Sequence, residues 1–491
     1  MQNMPEVRMG IVGVSRDCFP IELTRKRLEQ VAVACAKAKV QIVKCDTIVE
    51  TEKDAMHAAA EMTEKHVNAL TIYLGNFGPE GPATILAETL HVPFMLVAAA
   101  EENKDSLVHG RGDALCGMLN ACLNAGLRNL KPYVPSMPVG LPAQVAQNIA
   151  HFTNVARVVI GIKNLKTFSF GPRPHDFYAC NAPIKPLYDL GIEVMENSEL
   201  DMLELFNAAA GRKSEIEAVA RDMAKELGKG NKHPEKLKQL AQFEVAMTKF
   251  MEDNLGSRSF GIFANKCWPA FEKAFGFVPC YVNSRLASRG IPAACEVDIY
   301  GGVSEYIVQL ASQEAVTLLD INNSVPNNLP VGNMKGAARE DLFMGFHCGN
   351  TPMSCLCDDA CMKFQLIMNR LMEKSAKPDI TVGTLEGTLK PGPCTMFRLQ
   401  SSMSNKLMSY CAEGHVLDAN TRSFGGIGVV AIKDFARFYR YIMLEKQYPH
   451  HGAFAFKHVG RTAFDALKLL GVDDISTPKP AGCLYAGENP F

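Results

Sequence analysis

The chain has 491 residues, 47% hydrophobic and 21% charged, too long for a single core and too apolar for global disorder. Lysine and arginine number 51 against 52 aspartates and glutamates, so a net charge of −1 offers no attraction for nucleic acid or an anionic membrane. The longest apolar runs, such as that around 92–100, reach about half of the roughly 20 residues a spanning helix needs, so no membrane span is read.

The first eight residues lead into strand-like sequence without a basic segment, apolar core and cleavage site, so a cytoplasmic protein is expected. Sixteen cysteines are spread through the chain, several within apolar segments (Cys35, Cys116, Cys122, Cys295), and read as reduced thiols. Strands are expected at 9–14, 40–45, 69–74 and 93–97, separated by helices at 21–38, 53–66, 82–90 and 114–126. Such alternation predicts a doubly wound parallel sheet. Ligands gather at the carboxyl ends of its strands, which makes Ser15-Arg16-Asp17 and Gly75-Asn76-Phe77-Gly78 candidate ligand-facing loops. Gly75, Gly78 and Gly81 are spaced GxxGxxG, so they read as turn glycines rather than a nucleotide fingerprint.

A second alternation places strands at 167–170, 192–196, 261–264 and 293–299, around helices near 200–209, 213–227 and 237–254. The charged stretch 225–234 reads as a solvated loop between helices. From about residue 350 the texture becomes strand-like with Gly and Pro turns (380–389, 394–400, 415–418, 425–432) and one helix near 433–445. The expectation is two doubly wound, Rossmann-like α/β domains, 1–165 and 166–345, followed by a β-rich, barrel-like domain, 346–491.

Within the apolar segment 292–300, Glu296 and Asp298 stand at i and i+2, so a strand would point both to one face. Asp320 ends another apolar run 24 residues beyond Glu296. A carboxylate in a buried strand costs several kcal/mol unless paired or bound to a metal. Separate salt bridges, or wetting at a sheet edge, would meet that need as well as a shared cation. Histidines are available in His450-His451 to His458 and in Phe346-His347-Cys348. Two carboxylates with one or two imidazoles suit Mn²⁺, Co²⁺ or Fe²⁺ better than Mg²⁺, although a lone histidine is more often a hydrogen-bonded core residue. Cys348, Cys355, Cys357 and Cys361 fall within fourteen residues, but CX6CXCX3C matches no known zinc or iron–sulfur pattern, and they read as small buried hydrophobes. Trp268, the only tryptophan, reads as core packing before sugar stacking.

Taken in order, 283–298 ending in Cys-Glu296-Val-Asp298, then Leu319-Asp320-Ile-Asn-Asn, Phe346-His347-Cys-Gly-Asn and Pro449-His450-His451-Gly-Ala resemble the L-fucose isomerase and L-arabinose isomerase superfamily. The likeness runs through essentially the whole chain. It implies Mn²⁺ (Co²⁺ or another divalent cation as a substitute) held by Glu296, Asp320 and His451, with Glu296 and Asp320 moving protons between C1 and C2 through a cis-enediol. His347 resembles the additional metal-site histidine of the arabinose isomerase branch, and Arg16 resembles an arginine of the fucose branch; both are placed among the substrate-contacting residues. The enterobacterial Thr-Glu-Asn-Asp wording around the glutamate is absent, and the C-terminal domain is shorter. The expected reactions are L-fucose to L-fuculose and D-arabinose to D-ribulose, in a homohexamer or other homo-oligomer. An L-arabinose isomerase-type activity and a non-catalytic sugar-binding protein are the alternatives. A metal-dependent aldolase would need a phosphate-binding loop, which the sequence does not offer.

Overall fold

A computed structural model describes residues 3–367 and 380–490. The chain divides into two compact units, one formed by Pro5–Ile160 with Asp465–Gly471, the other by the residues to Met4, Gly161–Phe464 and Val472 onward.

The first unit holds a five-stranded sheet of β1 (Met9–Val14), β2 (Val43–Lys44), β3 (Ala69–Leu74), β4 (Phe94–Ala99) and β5 (Val139–Gly140), all parallel in the order β2-β1-β3-β4-β5. Every residue of β1, β3 and β4 is buried, as continuous apolar runs covered by helices on both faces require. The helix Glu52–Glu64 starts where Thr51 and Asp54 cap each other's backbone N–H groups, satisfying two donors with no partner inside the helix. The order with a reversal beside β1 is the doubly wound arrangement expected from the alternation.

The second unit contains a parallel sheet of β6 (Leu165–Phe170), β7 (Glu193–Asn197), β8 (Phe260–Ala264) and β9 (Ala293–Ala294) in the order β7-β6-β8-β9. Its other sheet is formed by β10 (Val316–Ser324), β11 (Leu342–His347), β12 (Cys361–Phe364), β13 (Val382–Thr388), β14 (Gly392–Ser401), β15 (Leu407–Leu417), β16 (Gly426–Ala431), β17 (His451–Ala455) and β18 (Asp474–Ser476). Antiparallel pairings run β16–β11–β10–β17–β14–β15 and return from β15 to β16. Six strands therefore close a barrel, which removes the edges an open antiparallel sheet would expose. The helix Ile299–Ser312 is buried along its entire length and packs on β8 as well as on β10, β14 and β17.

The α/β class with a barrel-like C-terminal sheet is as expected; two local elements differ. The expected strand 293–299 stops at Ala294, giving way to a tight turn at Cys295–Val297. Glu296 and Val297 adopt φ of 58° and 56°, which no strand permits, so Glu296 and Asp298 do not share a strand face. The cause is visible in Asp298, whose side chain accepts the N–H of Gly301 at 2.9 Å and so opens the following helix as its N-cap. The helix expected at 433–445 is a short α-turn, Phe435–Phe438, running into a wider π-type turn, Tyr439–Leu444. Among the described residues no helix is long and apolar enough to cross a membrane.

Candidate metal centre

The site is assembled by one turn and two barrel strands. On β10 and β17, antiparallel pairing sets Asp320 directly opposite His451, close enough for side chains on one face to meet. The β10–β11 register slips just beyond Ile321, a bulge of the kind that re-aims side chains at the ends of strands. Glu296 is delivered by the strained turn at the start of the buried helix. Left-handed backbone at two successive non-glycine residues, one of them β-branched, costs about 1–3 kcal/mol each and persists where the surroundings enforce it.

His451 is 1% exposed and stands at the centre. Its Nε2 lies 3.2 Å from Glu296 Oε2 and 3.4 Å from Asp320 Oδ1, yet makes no hydrogen bond. On the other side of the ring, Asp298 Oδ2 accepts from Nδ1 at 2.8 Å. A carboxylate only accepts, so Nδ1 carries a proton, and Nε2, facing two carboxylates, either carries a second proton or turns its lone pair to a cation held between them. Three lone-pair donors converging in a buried space repel one another unless a cation or a proton lies between them. The N,O,O donor set fits a first-row divalent ion such as Mn²⁺ or Co²⁺.

The electrostatics follow from this crowding. Burial opposes charge on Asp320, but contact with His451 overcomes it and holds the carboxyl below its ordinary range. Burial also opposes charge on His451; Cys180, Asp298 and Asp320 outweigh it and raise the imidazole well above its usual value. His450, with its ring edge-on to Phe177 at 5.5 Å, is lowered by burial and by the neighbouring His451. Its Nε2 is 3.8 Å from Asp320 and 4.0 Å from Glu296, so both histidines of the pair border the cluster.

Of the residues singled out in the sequence, Glu296 and Asp320 each approach His451 Nε2 within 3.4 Å, while the compact ligand groups are Cys180–Glu296–His451 and Asp320–His450–His451, so the two carboxylates meet through the shared imidazole. His347, at the end of β11, is buried with its ring 6.4 Å from that of His451 and stands outside the compact groups of ligand atoms. Arg16 belongs to the first unit, at the carboxyl end of β1, where its guanidinium lies 5.8 Å from the Phe77 ring and 3.7 Å from Glu80. The two loops expected to face a ligand do meet, because Asn76 accepts the Arg16 N–H and donates to Ser15, each at 2.9 Å.

Sequence reasoning missed Cys180, whose Sγ is 3.7 Å from His451 Nδ1 and 4.0 Å from Glu296 Oε2; no local pattern marks it. It also missed Arg398, fully buried on Asp298, though an arginine inside the apolar run Cys394–Leu399 was a readable sign. The four clustered cysteines disperse: Cys355 and Cys357 donate to the carbonyls of Ala315 and Leu389, and none joins a compact ligand group among the described residues. Trp268 packs against a core of Cys267, Val278, Cys280 and Cys295.

Comparison with known proteins places two family models on the chain. The N-terminal domain of fucose/sulfoquinovose isomerase matches residues 10–163, and the C-terminal domain of L-fucose isomerase matches 345–476, together more than half of the sequence. A sulfoquinovose isomerase of Alkalicoccus urumqiensis is 24% identical over 354 residues, covering 70% of this chain and 72% of that protein. A sulfoquinovose isomerase of Priestia aryabhattai is 28% identical over 172 residues, 34% of this chain and 37% of its own. A third, from Clostridium sp. (strain MSTE9), is 36% identical over 63 residues, 13% and 14% of the two chains.

Proposed function

Since this chain belongs to the L-fucose isomerase-like superfamily of sugar isomerases, we propose that it interconverts a free aldose and its 2-ketose at Glu296, Asp320 and His451, which would hold a divalent ion, Mn²⁺ by preference. One observation carries the reading: the unbonded Nε2 of His451 faces Glu296 and Asp320 within 3.4 Å. Such an ion supplies polarisation of the sugar's C1 and C2 oxygens, which makes the proton at C2 removable.

The chain's own residues account for the remaining steps. One carboxylate of the Glu296–Asp320 pair takes the C2 proton and a proton is returned at C1, while a hydrogen passes between O2 and O1. Aldose and ketose are isomers, so the balance closes without a redox partner. Asp298 keeps the Nδ1 proton on His451 and thereby aims Nε2 at the reaction centre. His347 is assigned to the wall of the same site; Arg16 enters as a sugar-recognising residue on its sequence pattern. A cytoplasmic homohexamer or other homo-oligomer completes the reading.

L-Fucose and D-arabinose are the substrates the sequence pattern favours. Sulfoquinovose is the second reading, favoured by the relatives, each of which is a sulfoquinovose isomerase. Incubating metal-stripped and Mn²⁺-loaded protein with these aldoses and L-arabinose tests both levels. Ketose formation only in the loaded protein supports the reaction; full activity after exhaustive chelation overturns the metal, and sugar binding without conversion overturns the enzyme.

A further inference from the structure

The helix Ala114–Leu127 is built inside out. Its inner face is made of small residues, Ala114, Gly117, Ala121 and Ala125 with Met118, all buried. A Cβ on Gly117 would fall 1.8 Å from the Phe77 carbonyl oxygen. Its two asparagines also turn inward, Asn120 donating to Glu80 at 3.0 Å and Asn124 accepting from Thr84 at 2.9 Å. The outer face carries Leu115, Leu119, Leu123 and Leu127, 65–73% exposed, and the helix contains no charged residue. Helices on the surface of a monomer show the reverse pattern, with polar residues to solvent and large apolar ones to the core.

We propose that this leucine face is the interface through which two copies of the chain associate, helix against helix about a two-fold axis. Four leucines this exposed present on the order of 500 Å² of apolar surface, at the upper end of what a monomer ordinarily shows. A second copy brings an equal and complementary strip, and the pair then buries about 1,000 Å², the lower bound for a specific interface. Spacing of four residues keeps the leucines in one row along the helix, suited to a self-complementary isologous contact. The rim agrees with this partner: Arg111 is paired with Asp113 at one end and Arg128 with Glu88 at the other, at 2.8 and 3.0 Å. A neutral rim meets its own image without like-charge repulsion, whereas a lipid surface would call for an excess of basic residues. The inference stands apart from the metal site and does not depend on the reaction assigned there.

Sedimentation equilibrium of the purified full-length chain tests it, comparing wild type, the double variant Leu119→Glu with Leu123→Glu, and the control Leu200→Glu, a leucine 72% exposed elsewhere. The expected result is a wild type of even copy number, a control of the same mass, and a double variant at half that mass or less with unchanged circular dichroism. Should the glutamates impair folding, Leu119→Gln with Leu123→Gln gives the same reading. A monomeric wild type, or a folded double variant that retains the wild-type mass, overturns the proposal. Flotation of wild type with neutral or anionic vesicles while it sediments as a monomer would also overturn it, assigning the face to lipid.

Discussion

Asp298 accepts the Nδ1–H of His451 at 2.8 Å while Arg398 donates to the same carboxylate at 2.6 and 2.9 Å, all three side chains being at most 1% exposed. Burial opposes the charge on Asp298, but Arg398 first and His451 second overcome it and hold the carboxyl well below the ordinary range. Arg398 is fixed in turn by Gln400 Oε1 at 2.7 Å. Asp298→Asn leaves a buried guanidinium without its counter-ion, a defect worth about 3–5 kcal/mol, and loosens the imidazole. Mn²⁺ affinity should fall about 10- to 100-fold in isothermal titration calorimetry, with a lowered melting temperature. Wild-type affinity in the variant would show that His451 needs no such support.

Removing the donors themselves should act more severely. Glu296→Ala, Asp320→Ala and His451→Ala should each abolish most bound Mn²⁺ in elemental analysis of the purified protein, since each deletes one of three converging donors. The cluster lies at a turn, within β10 and at the first residue of β17, and its side chains line a site rather than the hydrophobic core, so secondary structure should survive. Full occupancy in Glu296→Ala would remove that residue from the metal site.

Glu305 sits in the buried helix with Oε2 unpartnered, and burial pushes its pKa from the ordinary 4.5 up to about 8. Between these values the folded chain holds a proton that the unfolded chain has released. Stability therefore falls as pH rises from about 5 to 8, with the full cost reached above the folded pKa. Glu305→Gln removes the titrating group. Melting temperatures of metal-free wild type and variant should agree near pH 5 and diverge in the variant's favour by pH 9, the underlying stability difference being on the order of a few kcal/mol. Parallel curves across that range would place the ionisation elsewhere.

Substrate ranking separates the two readings of specificity. L-Fucose and D-arabinose share configuration from C2 to C4, and loss of a methyl group alters discrimination by only about 1–3 kcal/mol. Their kcat/KM values should therefore lie within about two orders of magnitude of each other, with L-arabinose well below both. Sulfoquinovose at the head of the panel would transfer the assignment to the sulfonated sugar and leave the isomerase reaction in place.

Alternation of apolar strands and amphipathic helices was enough to read the parallel sheets, because that pattern is local and records which faces a segment must bury. Residue type was enough to flag Glu296, Asp298, Asp320 and the histidines, since carboxylates in apolar segments and paired histidines are costly without partners; the choice of Glu296, Asp320 and His451 among them rested on the resemblance to the isomerase superfamily. What joins them is not local. Asp320 meets His451 through strand register across the barrel, and Asp298 reaches His451 over 153 residues of sequence. Period-2 reasoning treated Glu296 and Asp298 as one pair on a strand, whereas helix capping by Asp298 and the left-handed turn send them to opposite nitrogens of one imidazole. The leucines of 114–127 read from sequence as an ordinary helix; only the packing of small residues inward shows that its large ones face out. Sequence periodicity states how much a helix or strand must bury, while the direction in which it buries is decided by what the rest of the chain brings against it.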